Sequence, residues 1–271
     1  MPFEVLDLVS TPADELNEDV VGYSRHVFWL MDGASVGTRQ VDFPHDASAL
    51  QWLLAAYNTY FSEHGDRFPY PSDLALAAIR AVSKEWSDAV HVGTVSESDL
   101  RFAPSATLLL GRVVGETLRI VSLGDIAFMH WRGEEFLKNL SDLSALEREH
   151  ERLRKAGFDE SAFWTLTEES RSQMGEESGA RVLSFDERAI DGALKISLEA
   201  EAGDLILLAT DGLCRLWDVY EGSDDLLRLV NGEATLLQLV TKLRALERHR
   251  RPEGVLKRHD DATGLLLRVA L

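Results

Sequence analysis

Two apolar, strand-like runs in this chain lead into the same dipeptide, Asp-Gly. Val27-Phe28-Trp29-Leu30-Met31 runs into Asp32-Gly33, and Leu205-Ile206-Leu207-Leu208-Ala209-Thr210 runs into Asp211-Gly212. Two more acidic motifs frame them: Asn17-Glu18-Asp19 upstream, and His259-Asp260-Asp261 before the closing apolar stretch. A carboxylate at the mouth of a hydrophobic strand is held rigidly and half desolvated, which is costly unless positive charge sits beside it. Several such carboxylates brought together make a hard-cation site of oxygen ligands, suited to Mg²⁺ or Mn²⁺. Motifs this far apart in sequence meet only if strand ends gather at one edge of the fold.

The bulk numbers restrict the partners. A formal charge of −18 argues against nucleic acid, whose binding relies on neutralising phosphates with Lys and Arg. No apolar run approaches the roughly 20 residues needed to cross a bilayer, so no membrane association is expected. Met1-Pro2-Phe3-Glu4 lacks the basic region and apolar core of a secretory signal. The single cysteine, Cys214, forms no internal disulfide and fits a reducing, cytoplasmic setting as a buried inert thiol.

Without a linker or repeat, residues 1–271 read as one domain. Strands are expected near Phe3–Val9, Val20–Tyr23 and His26–Met31. A helix follows from an Asp46 cap to about Phe61, with Leu50, Leu53, Leu54, Tyr57 and Phe61 on one face. A second, capped by Ser72, runs to about Val90. Ala106–Val114, Thr117–Leu123 and Ile126–Trp131 read as strands, with hairpin turns supplied by Gly115-Glu116 and Arg132-Gly133. Residues 141–184 form a charged insert, with an exposed helix at Leu143–Ala156 closed by Gly157. Strands at Ala193–Leu198 and Asp204–Thr210, a long helix over Asp225–Glu247 and a final strand at Gly264–Leu271 complete the pattern. The class implied is α+β: two antiparallel β-sheets packed as a sandwich flanked by helix pairs, in α-β-β-α layers.

Taken in order, the motifs resemble the metal-dependent protein phosphatase family, the type 2C Ser/Thr phosphatases, in a divergent, bacterial-like form. Asn17-Glu18-Asp19 is similar to the early acidic motif and Asp32-Gly33 to the principal metal motif. Ser122-Leu123-Gly124-Asp125 is similar to the Gly-Asp after the central strands. Thr210-Asp211-Gly212-Leu213 resembles the late Asp-Gly motif. Asp260-Asp261-Ala262-Thr263 resembles a closing Asp-Asn-x-Thr, with Asp261 in place of Asn.

The resemblance implies two Mg²⁺ or Mn²⁺ ions. Asp32 would bridge them, the Gly33 carbonyl would bind the first, and Asp211 and Asp260 the second. Glu18 and Asp19 would hold water from the outer shell. Asp32 and Asp211 are thus the catalytic candidates, acting on phosphoserine or phosphothreonine in a protein phosphorylated by a kinase counterpart. Two such ions activate water for in-line displacement at phosphorus without a protein nucleophile. An aspartyl-nucleophile mechanism is disfavoured, because it needs a second Asp two residues on, where Ala34 stands.

Three departures accompany the resemblance. Ser10 to Leu16 contains no Arg or Lys where many members hold the phosphate with Arg, Ala34 stands where some have His, and Arg215 stands where many have Asp. Arg215 is therefore expected to replace a third cation, pairing with Asp125 or touching substrate. The 141–184 insert occupies the place of the family's flap, and its Phe163-Trp164 pair is expected to pack it onto the body. The competing functions are a phosphatase of a small phosphorylated molecule and a regulatory binding module with weak turnover.

Overall fold

A computed structural model describes residues 2–34, 48–91, 103–140, 182–250 and 259–270, with scattered positions between 151 and 165. The chain opens with strands β1 (Phe3–Thr11), β2 (Asp19–Tyr23) and β3 (Val27–Ala34) and helices α1 (Ala49–His64) and α2 (Pro71–His91). Strands β4 (Ser105–Val114), β5 (Thr117–Leu123), β6 (Ala127–Arg132) and β7 (Glu135–Asn139) follow. After the insert come β8 (Leu194–Glu199) and β9 (Leu205–Ala209), then helices α3 (Asp211–Asp218), α4 (Ser223–Val230) and α5 (Leu236–His249), and finally β10 (Ala262–Val269).

The strands form two antiparallel sheets, ordered β1-β10-β9-β6-β7 and β2-β3-β4-β5-β8. The apolar run of β3 shows why they stack. Strand side chains alternate between faces. Phe28 and Leu30 pack into the core between the sheets with Phe128, Ile206, Leu208, Leu265 and Leu267. Val27, Trp29 and Met31 face the other way, onto α1 and α2 through Leu53, Tyr57, Phe61, Leu74 and Ile79. Across the other sheet, Met129, Leu207, Ala209 and Leu266 pack against Leu213, Leu229, Leu239 and Leu243 of the C-terminal helices. Strands covered on both faces need no polar alternation. The expected α-β-β-α sandwich is the observed one.

Several boundaries differ from expectation. Asp46 lies outside the described residues, and Ser48 caps α1, its hydroxyl accepting from the Gln51 amide at 3.1 Å. Pro71, not Ser72, opens α2, where a missing N–H costs nothing. The expected helix over Asp225–Glu247 is two, because Gly232 takes φ +72° after α4 and a Thr235/Gln238 capping box starts α5. The second hairpin turns at Gly133-Glu134 rather than Arg132-Gly133, with Gly133 at φ +57°. Strand β7, exposed at every position, was not expected. Of the Leu143–Ala156 helix, Glu151, Arg152, Arg154 and Lys155 are helical, while Leu143–His150 and Phe163-Trp164 lie outside the described residues. Among the described residues no helix is long and apolar enough to cross a membrane.

Candidate functional site

Register and parity bring the acidic motifs together. In the β2–β3 pair Asp19 stands directly opposite Asp32, and directly opposed residues share a face. Asp32 has the parity of Phe28 and Leu30, so it belongs to the face that meets the other sheet. Thr210 follows β9 with the parity of Ile206 and Leu208, and Thr263 shares that of Leu265 and Leu267. The Thr210 hydroxyl donates to Asp19 Oδ2 at 3.1 Å and accepts from the Thr263 amide at 3.0 Å. This links the sheets where the Asp-Gly motifs meet. A register shift in β1 between Val5 and Asp7 lets Ser10 face Thr263, with their hydroxyls 2.8 Å apart.

Neither Asp-Gly is a turn after a strand. Strand β3 continues through Ala34, and Asp211 is the first residue of α3. The glycines allow close backbone approach instead. The Gly33 amide donates to the Glu18 carbonyl at 2.8 Å, and a Cβ on Gly33 would lie 2.8 Å from that oxygen. A Cβ on Gly212 would overlap the Asp261 carbonyl.

The electrostatics of the cluster are those of crowded, partly desolvated acids. Burial pushes the Asp32 carboxyl well above the usual carboxylate range, and the charges of Asp19, Asp211, Asp260 and Asp125 add to the effect. Asp19 is buried and pushed up to about 7, chiefly by burial, with Asp261 and Asp260 raising it and the Thr263 and Thr210 hydroxyls opposing. Its Oδ1 is buried without a hydrogen-bond partner. An all-oxygen donor set with one orphaned buried oxygen suits a hard divalent cation. Cys214 is buried, and burial raises its thiol pKa, so it is an inert core residue.

The closing motif divides its work. Asp261 accepts from the Ala13 amide at 2.6 Å and the Glu18 amide at 2.5 Å, fastening the 13–18 segment. Asp260 instead accepts from Arg215 Nη2 at 2.7 Å. Arg215, expected to pair with Asp125 or touch substrate, sits within α3 and engages Asp260. Asp125 belongs to the cluster through its charge on Asp32. Behind Arg215, buried Glu247 accepts from Arg244 at 2.8 Å and stands 2.7 Å from His259 Nδ1 and 3.8 Å from Arg215 Nη1. Arg244 also donates to the Asp260 carbonyl. Among the described residues no three His, Cys, Asp or Glu side chains are grouped so as to hold a metal ion as they stand.

Arg244 and Glu247 were missed by sequence reasoning, although a signal existed. Glu247 continues the stripe of Leu236, Val240 and Leu243 on the inner face of α5, where a lone charge requires partners. An open cavity lined by Arg25, His26, Arg112 and Glu116 is not part of this site. Arg112 pairs with Val27 at the opposite end of β3 from Asp32.

No protein-family model and no curated protein matches the chain. Solved structures do. The Mycobacterium tuberculosis serine/threonine phosphatase PstP/Ppp aligns over 99% of this chain and 99% of its own, with 19% identity and a TM-score of 0.56. A structure of the PstP catalytic domain in complex with two manganese ions aligns over 99% of both chains, at 18% identity and a TM-score of 0.52. PppA, a regulatory component of T6SS in Pseudomonas aeruginosa, covers 100% of this chain and 99% of its own at 18% identity, with a TM-score of 0.54. Full coverage at both ends, with the same layered sheets and helices, assigns the architecture: the chain has the fold of the metal-dependent, type 2C Ser/Thr phosphatases.

Proposed function

We propose that this protein is a divalent-metal-dependent phosphatase that hydrolyses phosphoserine or phosphothreonine in a protein substrate. The observation that carries the proposal is the placement of Asp19 opposite Asp32, with Asp211, Asp260 and Asp125 near enough to raise the Asp32 pKa. Like charges this close are tolerated at neutral pH only with protons or a cation among them. Asp32 would hold such an ion with the Gly33 carbonyl, Asp211 and Asp260 would hold a second, and Glu18 and Asp19 would orient water around them. A bound divalent ion supplies Lewis-acid activation of water and neutralisation of charge at phosphorus.

The chain's own residues do the rest. The Asp261 clasp and the Gly33–Glu18 hydrogen bond hold the Asn17-Glu18-Asp19 segment against β3. Thr210 fixes one Asp19 oxygen and leaves the other for a ligand. Arg215, only 15% exposed on its side chain, is the cation beside the cluster and the candidate contact for the substrate phosphate. The kinase that phosphorylates the substrate is its expected counterpart.

Hydrolysis of an aryl phosphate by the purified protein with Mn²⁺, abolished by chelation and restored by added Mn²⁺, is the test. A phosphopeptide panel set against a panel of phosphorylated metabolites separates a protein phosphatase from a small-molecule one. The Arg215–Asp260 pair, which engages one proposed ligand, favours the weak-turnover binding module as second reading. That reading holds if the Mn²⁺-loaded protein binds phosphopeptide but leaves both panels unhydrolysed.

A further inference from the structure

Asp260, a proposed metal ligand, is engaged by a cation of the protein's own. Arg215 Nη2 lies 2.7 Å from Asp260 Oδ2, and the two side chains are 15% and 21% exposed. The guanidinium is not a stray surface group. It springs from α3 one turn after Asp211, and its Nη1 stands 3.8 Å from Glu247, which is 1% exposed. Arg244 and His259 are tied to the same Glu247 at 2.8 and 2.7 Å, and Arg244 also holds the Asp260 backbone. The Asp260 backbone is thus held from α5 through Arg244, whereas Arg215 faces Glu247 only across 3.8 Å, beyond hydrogen-bond reach. The 2.7 Å contact with Asp260, between two side chains both largely shielded from solvent, is a charge-assisted hydrogen bond.

We propose that Arg215 and a divalent cation are alternative partners of Asp260, so that the carboxylate cluster binds its first ion at Asp32 tightly and its second only by displacing the guanidinium. The inference rests on the phosphatase reading of the site and deepens it by assigning the order and relative strength of metal binding. Displacement forfeits one charge-assisted hydrogen bond, so the second ion binds about ten- to a hundredfold more weakly than it would at the same carboxylates without Arg215. Once displaced, Arg215 stays near the buried charge of Glu247, and its fork can turn to a substrate phosphate. Metal occupancy and phosphate contact are thereby coupled through one side chain.

Two measurements on the full chain test this, both with Mn²⁺ alone as the probe. In calorimetric titration the wild type should show two separated classes of site, and Arg215→Gln should strengthen the weaker class by about tenfold or more. In thermal denaturation Arg215→Gln should melt lower than wild type after chelation, because Asp260 loses its counter-charge. The variant should then gain more from saturating Mn²⁺ than wild type does, since a ligand stabilises in proportion to its affinity for the folded state. Two sites of equal affinity in the wild type overturn the proposal and leave the phosphatase reading intact, and this holds even if the variant does not fold. An equal Mn²⁺-induced shift in wild type and variant also overturns the proposal. Failure of the wild type to bind any Mn²⁺ overturns the phosphatase reading itself.

Discussion

Asp19 and Asp32 face each other across the β2–β3 ladder, two acids in directly opposed register with one of them 5% exposed. Side chains so placed have Cβ atoms about 5 Å apart, and like charges there are destabilising. The burial of Asp19 sets a pH dependence for the metal-free protein. Asp19 titrates near 7 in the fold, chiefly through burial, and near 4 when unfolded. A carboxyl raised on folding contributes stability that is fully present below its unfolded pKa and is lost as pH rises through the folded value. After chelation the melting temperature should fall between about pH 4 and pH 7. Asp19→Asn should flatten that slope, and saturating Mn²⁺ should do the same in the wild type. A melting profile as steep in Asp19→Asn as in wild type would mean Asp19 is not the group responsible.

Asp211 contributes to the raised pKa of Asp32 and starts α3. Asp211→Asn should lower Mn²⁺-dependent turnover by orders of magnitude, because a ligand charge is gone. The same variant should melt higher than wild type without metal, since repulsion on Asp32 is relieved. Turnover and chelated melting curves on one preparation check both, and unchanged turnover would remove Asp211 from the site.

Gly212 packs against the Asp261 carbonyl with no room for a methyl group. Gly212→Ala should therefore push the closing motif away from the 13–18 segment that Asp261 fastens. Overpacking of this kind costs about 1–3 kcal/mol. Its signature is weakened Mn²⁺ binding by calorimetry alongside the lower melting point, whereas a fall in stability with metal affinity unchanged would separate the glycine from the site.

Just before β9, away from the cluster, a second buried carboxylate serves as a control. Asp204, 1% exposed, accepts a two-pronged hydrogen bond from Arg132 at 3.0 and 3.1 Å, another from the Glu201 amide at 2.9 Å, and pairs with His130 at 2.8 Å. Burial alone would raise its carboxyl, but Arg132, the Glu201 amide and His130 hold it below the usual range. Its contribution is present above the unfolded pKa and lost as pH falls through the folded value. Asp204→Ala should cost about 3–5 kcal/mol by breaking the buried pair with His130, or roughly 10 °C in melting temperature. Mn²⁺ affinity measured below the melting transition should not change.

The layers were legible because the runs of β3 and β9 are apolar at consecutive positions, as strands covered on both faces must be. The break between α4 and α5 was not, because Leu-rich periodicity runs through it and the signal is a single glycine, Gly232. Strand β7 carries no alternation to detect, since all five residues are exposed. At the site, the acids of the two Asp-Gly motifs were legible, whereas the close backbone approach that both glycines serve, inside a strand and a helix, depends on segments distant in sequence. The convergence of the carboxylates followed from motif order. The partner of Arg215 did not, because it depends on where α5 sets Glu247 and Arg244, a relationship no local pattern around Arg215 encodes.

Anomalous scattering from crystals of the full chain soaked in Mn²⁺ tests the central claim most directly. The account predicts a Mn²⁺ peak bonded to an Asp32 carboxylate oxygen, within about 2.3 Å as expected for a hard divalent ion on oxygen, with Asp211 in the same coordination sphere. Mn²⁺ bound elsewhere with Asp32 unligated, or no peak at saturating metal, would contradict it.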